Sequence, residues 1–309
     1  MKKLASQVLQ VWGQWGKAPG YRYRVVDKYG AALASALPLP SKLPNGCRIN
    51  CDLRDHVQRQ IWFYGAYEPV ETYLFSQLLR PGMTVLDVGA NVGQYSLMAA
   101  TAVGATGSVH SFEPVPVTFA RLQTHIADNG LADIIRAHRV ALWNDDTRVN
   151  LGLSTEMADN LGSYSIGTDA ATAITDSPVE APALRLSTYA VAQHLTRLDV
   201  IKMDIEGAEP FALAGGYDLI REFRPTILIE VNKTALTRLG SSPAELWGIV
   251  SDLGYRAWRI GYSPETCGSI NNFEGISQAN VLLHYADLPA ALTQGWTFKG
   301  VLRWARREL

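Results

Sequence analysis

The chain has 309 residues, 47% of them hydrophobic and 18% charged, with a formal net charge of −1. At that length a folded chain buries roughly 75% of the surface its unfolded form exposes, so one α/β domain with additions or two domains fit, and disorder along the whole chain does not. The near-zero charge supplies no global field for nucleic acid or an acidic surface, and nucleic acid is not an expected partner.

Cys47, Cys51 and Cys267 form no CxxC pair and no even framework, so free thiols in a reducing, cytoplasmic compartment are the expectation. A zinc site on Cys47 and Cys51 would need two more ligands, and His56 is the one neighbour that offers itself. The basic start Met1-Lys2-Lys3 leads into an apolar stretch broken by Gln7, Gln10 and Gln14, which reads against a signal peptide. No run reaches the ~20 apolar residues of a spanning helix.

Residues 1–45 read as a leader, closed by the proline-rich linker ALPLPSKLPNG (36–46). The main domain is expected over 46–290. Apolar spacing predicts a helix from Val57 to Leu79, stopped by Pro81-Gly82. TVLDVG (84–89) is a strand that turns through glycines into the helix GQYSLMAATAV, with Gly104 as its stop. SVHSFEP (108–114) is the second strand, Pro116 opens the next helix, Asn129-Gly130 ends it, and AHRVAL (137–142) is the third strand. The polar stretch 144–180 is an insertion of loops and short strands, of a kind that tends to be functional. Ser187 is placed to cap a helix reaching about His194. DVIKMD (199–204) and TILIEV (226–231) are strands around the short helix PFALAGG (210–216). Ser242-Pro243-Ala244-Glu245 is a capping box for a helix running to Gly254. YRAWRI (255–260) and ANVLLHY (279–285) are the last strands, expected as an antiparallel edge pair. The alternation implies a mostly parallel sheet with helices on both faces. Residues 291–309 form a basic amphipathic tail. Its aromatic and basic residues suit peripheral contact with an anionic membrane or packing on its own domain.

The sharpest local pattern is Asp87-Val88-Gly89-Ala90-Asn91-Val92-Gly93, at the carboxyl end of the first strand, where ligands of open α/β sheets bind. Gly89 and Gly93 permit the turn. A dinucleotide site needs a glycine where this chain has Asn91, which counts against an NAD-dependent oxidoreductase. S-adenosylmethionine, which carries no phosphate, fits better: Asn91 can donate and accept, and Asp87 can take the ammonium directly or through water. Glu113, followed by Pro114, ends the second strand at the spacing of an acid that takes ribose hydroxyls. Ala141, Leu142 and Trp143 are expected near the adenine.

The segments IWFYGAYEP (61–69), VLDVGANVGQYS (85–96), HSFEPVP (110–116), DVIKMDIEGAEPFALAGG (199–216), ILIEVN (227–232) and ANVLLHY (279–285) carry a resemblance. In this order they resemble the FkbM-type methyltransferases, and KMDIEGAE is the most specific of them. The resemblance implies a Rossmann-like seven-stranded sheet, S-adenosylmethionine, and methylation of a hydroxyl on a sugar, lipid or polyketide-like metabolite. The acceptor is thus a small molecule or glycan.

An alcohol is a poor nucleophile until a base or a metal takes charge of its proton; a positioned base is worth ~10²–10⁴-fold. Asp204 ends the fourth strand and Glu206 lies two residues on. Together they can act as base plus partner or ligate a hard cation such as Mg²⁺. Glu230 and Asn232 extend this polar set from the fifth strand. Lys202 is expected to snorkel or to pair with an acid. Tyr67 and Glu68 are placed to close over the cofactor. His56 is the one histidine worth testing as a base, whereas His110 and His284 read as core residues. A non-catalytic binding module is the remaining rival reading.

Overall fold

The computed structural model describes residues 26, 30–34, 37–153, 164–167, 179–289, 292 and 294–307. Most of the expected leader, and 154–163 and 168–178 of the expected insertion, lie outside them.

Strands β1 (Leu39–Lys42) and β2 (Arg48–Cys51) pair antiparallel, with Leu39 opposite Cys51 and Lys42 opposite Arg48. Helix α1 (His56–Tyr64) follows, its first turn capped by the Asp55 carboxylate, which accepts from the Gln58 N–H. Helix α2 (Pro69–Leu78) carries proline in its first turn, where no N–H is needed. The single helix expected over 57–79 is thus two. The break runs from Gly65 (φ 87°) to Glu68 (φ 46°), both left-handed, and a Cβ on Gly65 would sit 2.1 Å from the Ala305 carbonyl oxygen. Gly65 as a left-handed cap and Pro69 at the start of the next helix are local breakers that a reading by apolar spacing overrides, and the far end of the chain packs against Gly65.

Next come β3 (Thr84–Val88), α3 (Gln94–Val103), β4 (Ser108–Phe112), α4 (Pro116–Asp128) and β5 (Ile135–His138), with β3, β4 and β5 paired parallel. The expected third strand splits: Ile135–His138 stay in the main sheet, while β6 (Ala141–Leu142) leaves it. With β7 (Thr147–Leu153), β8 (Tyr164–Gly167) and β9 (Val179–Leu184), β6 forms a second sheet in the order β6-β9-β7-β8. Helix α5 (Leu186–Ala192) starts one residue before Ser187, and its N-cap position is Arg185.

The chain continues through β10 (Val200–Met203), α6 (Glu209–Gly215), α7 (Tyr217–Phe223), β11 (Thr226–Asn232), α8 (Lys233–Arg238) and α9 (Pro243–Asp252), the last capped by Ser242 as expected. It closes with β12 (Arg256–Arg259), β13 (Gly268–Ile270), β14 (Gln278–His284) and α10 (Phe298–Ala305).

The main sheet runs β13-β12-β14-β11-β10-β3-β4-β5. The five strands from β11 to β5 pair parallel, and β14, β12 and β13 add antiparallel. This is the Rossmann-like α/β sheet the sequence implies, with eight strands rather than seven. The extra strand, Gly268-Ser269-Ile270, is too short and too polar to show an alternating pattern. The period-two alternation of β3 fixes which layer each side chain meets. Val85 joins the core with α1 to α4, while Leu86 and Val88 join the core with α6 to α9. Among the described residues no helix is long and apolar enough to cross a membrane.

Helix α10 lies on α2. Val301, Leu302, Ala305 and Trp296 are buried, and Tyr73 meets Trp304 edge-on at 5.3 Å between ring centres. The tail's apolar face therefore packs within this chain.

Candidate functional site

The strand order reverses between β3 and β10, so their following loops diverge and leave a crevice. The cavity there is bordered by the glycine turn after β3, Glu113 and Pro114 after β4, Ala141 and Leu142 of β6, and Asp204 and Glu206 after β10. Glu230 and Asn232 at the end of β11 complete that rim, and Tyr67, from the break between α1 and α2, joins it.

The glycine turn is held from behind. Gly89 has φ 78°, and a Cβ there would lie 2.0 Å from the Asp204 carbonyl oxygen, so glycine is needed for the turn to sit against the β10 loop. Asn91 is itself left-handed (φ 50°), a conformation its short polar side chain tolerates. Its N–H donates to Glu113 Oε2 at 2.9 Å, while Glu113 Oε1 accepts from the Val115 N–H at 2.9 Å. Burial pushes the Glu113 carboxyl up to about 7 against the pull of these two N–H groups. Asn91 borders the cavity, and its Oδ1 is buried with no hydrogen-bond partner among the described residues.

Three residues expected at the cofactor do not border the cavity. Asp87 points under the turn, where it accepts from Ser96 Oγ at 2.6 Å. The alternation of β3 places its carboxylate on the α3 side. Burial raises its pKa, while Lys202 and Ser96 work in the other direction. Gly93 begins α3, and a Cβ there would meet Leu122 at 2.6 Å. Glu68 accepts from Asn280 Nδ2 at 3.0 Å, and its pKa is held far above the usual carboxylate range by burial and by Glu71 and Asp204. Trp143 does not border the cavity either: it stacks on Phe211 at 4.1 Å between ring centres.

The side of the cleft at the ends of β10 and β11 is acidic. Lys202 Nζ donates to the Gly89 carbonyl oxygen at 3.2 Å and lies 3.5 Å from Asp204 Oδ2 and 5.0 Å from the Tyr95 ring centre. Burial works against this ammonium, yet Asp204, Asp87 and Glu68 prevail and its pKa is raised. Glu230 accepts from Gln278 Nε2 at 2.7 Å, and burial, with Asp204 and Glu206 nearby, holds its carboxyl far above the usual range. Glu209, the last residue of KMDIEGAE, accepts from the Ile205 N–H at 2.9 Å and so ties the loop that presents Asp204 and Glu206. Asn232 caps α8 through Oδ1, which accepts from the Ala235 N–H. Among the described residues no group of three or more His, Cys, Asp and Glu side chains is arranged to hold a metal ion, and Cys47 and Cys51 are free thiols.

Sequence reasoning missed several neighbours of this cleft. Gln94 fixes Tyr67 at both ends of its peptide, accepting from its N–H at 2.8 Å and donating to its carbonyl oxygen at 3.0 Å. It directly follows Gly93, so its place in the motif was the available signal. Leu151 and Ile166 of the second sheet border the cavity, and Gln278 reaches it from β14, opposite Asn232. None of these three has a local signal, because pairing between distant strands brings them there. His56 also borders the cavity, with Nε2 2.8 Å from Gln60 Nε2. His110 lies in the core against Tyr189, as expected.

The family model described as the Methyltransferase FkbM domain matches residues 87–257. The chain belongs to the FkbM methyltransferase family. That match begins at Asp87, in the strand that opens the glycine turn, and ends in β12. One relative within reach is the 31-O-demethyl-FK506 methyltransferase FkbM of Streptomyces tacrolimicus, 28% identical over 204 residues, which cover 57% of this chain and 75% of the relative. Another is Methyltransferase 1 of Beauveria bassiana (strain ARSEF 2860), 23% identical over 160 residues, covering 48% of this chain and 64% of the relative. Among solved structures, methyltransferase FkbM from Methylobacillus flagellatus KT shares 17% identity at a TM-score of 0.40, over 74% of this FkbM-family chain and 55% of that one. A SAM-dependent O-methyltransferase from Thermotoga maritima shares 11% identity at a TM-score of 0.37, over 72% of this chain and 67% of that one.

Proposed function

We propose that this chain transfers a methyl group from S-adenosylmethionine to a hydroxyl oxygen of a small molecule or glycan: a sugar, a lipid or a polyketide-like metabolite. The observation that carries the reading is the gathering of Asp204, Glu206 and Glu230 on the same cavity as the glycine turn. The residues present fit the cofactor. Asn91 Oδ1 is a buried acceptor without a hydrogen-bond partner among the described residues, suited to an ammonium. Glu113, fixed by two N–H groups, keeps lone pairs for ribose hydroxyls. Ala141, Leu142, Leu151 and Ile166 supply an apolar wall for a flat ring.

When bound, S-adenosylmethionine supplies an electrophilic methyl group on a sulfonium. The chain's own task is to hold the acceptor oxygen in line, worth up to ~7–11 kcal/mol, and to remove its proton. Asp204 is the base in this reading: its side chain is partly open to the cavity, and Lys202 keeps the carboxylate oriented. Glu230, fixed through the hydrogen bond it accepts from Gln278, borders the same cavity and positions the acceptor. Asp204 and Glu206 are also the pair a hard cation such as Mg²⁺ would take. The Lys202 ammonium already beside Asp204 repels a second cation and so works against the metal.

Calorimetric titration with S-adenosylhomocysteine, with NAD in parallel, tests the cofactor. Binding of the former alone is expected, and NAD binding in its place overturns the reading. On an acceptor identified by screening with and without Mg²⁺, Asp204→Asn should lower kcat by roughly 10² or more, in line with loss of a positioned proton acceptor, and Glu230→Ala should lower it as well. S-adenosylhomocysteine affinity should stay within a few-fold. Unchanged turnover in both variants removes these residues from the reaction.

A further inference from the structure

A second cavity lies apart from the methyl-transfer cleft and, among the described residues, shares no bordering residue with it. It opens between the β1–β2 hairpin and the end of α10. Lys42 and Arg48 border it from the hairpin and Arg306 and Arg307 from the helix end, and Asp128 is the one acid among the described residues there. Lys42 and Arg48 face each other directly in the strand register. Like charges in that position work against strand pairing. The hairpin nevertheless holds Arg48 firmly: its N–H donates to Asn129 Oδ1 at 2.7 Å and its carbonyl accepts from Asn129 Nδ2 at 2.7 Å, while its guanidinium donates to the Asp128 carbonyl oxygen. Arg307 adopts a left-handed backbone (φ 60°), and its guanidinium lies against the hairpin turn, 3.4 Å from where a Cβ on Gly46 would be. Among the described residues no carboxylate forms an ion pair with Lys42, Arg48 or Arg307. The helix dipole offsets part of the charge at the end of α10 but none of the charge on the hairpin. Lys42 and Arg48 of the hairpin and Arg307 beyond the helix have thus been folded around one concavity with no carboxylate paired to them among the described residues.

We propose that this cavity binds a phosphate monoester, either as a soluble molecule or as the headgroup of a lipid. Guanidinium forks match phosphate oxygens two at a time, and a concave wall of one sign concentrates the field on an anion. Because the apolar face of α10 is buried on α2, a lipid would be held by its headgroup and not by an inserted helix.

The test uses the full chain. Glycerol 3-phosphate is titrated while the amide spectrum and Tm are followed, and flotation is measured with phosphatidylcholine vesicles with and without phosphatidic acid. The double variant Arg48→Gln with Arg307→Gln is compared with Lys299→Gln with Arg303→Gln, which removes two exposed cations of α10 that do not border the cavity. The expected result is saturable binding of glycerol 3-phosphate, weakened by about tenfold or more in the first variant and unchanged in the second. The single variant Arg307→Gln, at an exposed position beyond the helix, should weaken it in the same direction if the double variant misfolds. Flotation that needs phosphatidic acid and fails in the same variant assigns the lipid headgroup, whereas saturable binding without flotation assigns a soluble ester. Equal weakening in both double variants, or no saturation at millimolar ligand, overturns the site.

Discussion

Several carboxyl groups around the cleft are held far from their ordinary titration range, and each has a named cause. Glu209 is the clearest. It is buried, it accepts from the Ile205 N–H, and desolvation pushes it up to about 8. In the unfolded chain the same group titrates near ~4.3. Below that pH both states carry the proton and the contribution to stability is intact. Between there and about 8 the folded state holds a proton the unfolded state has released, so stability falls as pH rises, and above about 8 the loss is complete. The slope for one such proton is about 1.4 kcal/mol per pH unit. Glu209→Gln keeps the acceptor for Ile205 and cannot titrate. Urea denaturation between pH 6 and 8 should show a flatter decline in this variant than in the parent, and equal slopes would mean that Glu209 is ionised in the folded protein. Glu113, pushed up to about 7, adds to the parent's decline in the lower part of the same window.

At the scale of elements, the cleft depends on pieces that are distant in the chain. The break between α1 and α2 turns Tyr67 onto the cavity, Gln94 at the start of α3 grips it, and the C-terminal helix packs against the break at Gly65. Trp296 anchors that last segment: it is buried, and its indole N–H donates to the Leu292 carbonyl oxygen at 3.2 Å. Trp296→Ala should therefore cost about 3–5 kcal/mol in urea denaturation, the usual range for emptying a buried tryptophan site. Trp304→Ala, at a half-buried position edge-on to Tyr73, should cost less. A negligible loss at Trp296 would show that α10 is not docked in solution. The second sheet is a comparable case, since β6 leaves the main sheet so that Ala141, Leu142, Leu151 and Ile166 form one wall.

Over the whole molecule, the cavity is a junction of three bodies: the parallel sheet, the smaller sheet, and the α1–α2 unit with the hairpin before it. A ligand that touches all three binds the folded state only, and so should raise the stability of the molecule as a unit. At a hundredfold excess over Kd, S-adenosylhomocysteine should add about 2.7 kcal/mol to the unfolding free energy. Urea denaturation at rising ligand concentration reads this directly. A flat response, despite binding seen by calorimetry, would mean that the ligand also binds unfolded chain.

The local part of this protein was legible in its sequence. The parallel strands, most helix starts and the glycine turn follow from periodicity, capping residues and short-range spacing, which act within a few residues, while KMDIEGAE stood out through its resemblance to the FkbM-type methyltransferases. Asp204, Glu206, Glu230, Asn91 and Glu113 could be placed together because strand ends of an α/β sheet share one edge. Other features were decided only by tertiary structure. Which face of β3 meets α3 turned Asp87 away from the cavity. Strand pairing brought Gln278 to Glu230, and folding brought the end of the last helix onto Gly65 between α1 and α2. The four cations of the second cavity lie at positions 42, 48, 306 and 307, and only folding makes neighbours of them. Burial has the same origin: a glutamate in the sequence has an ordinary pKa, and only the packing around Glu209, Glu113 and Glu230 removes the water that would keep it so.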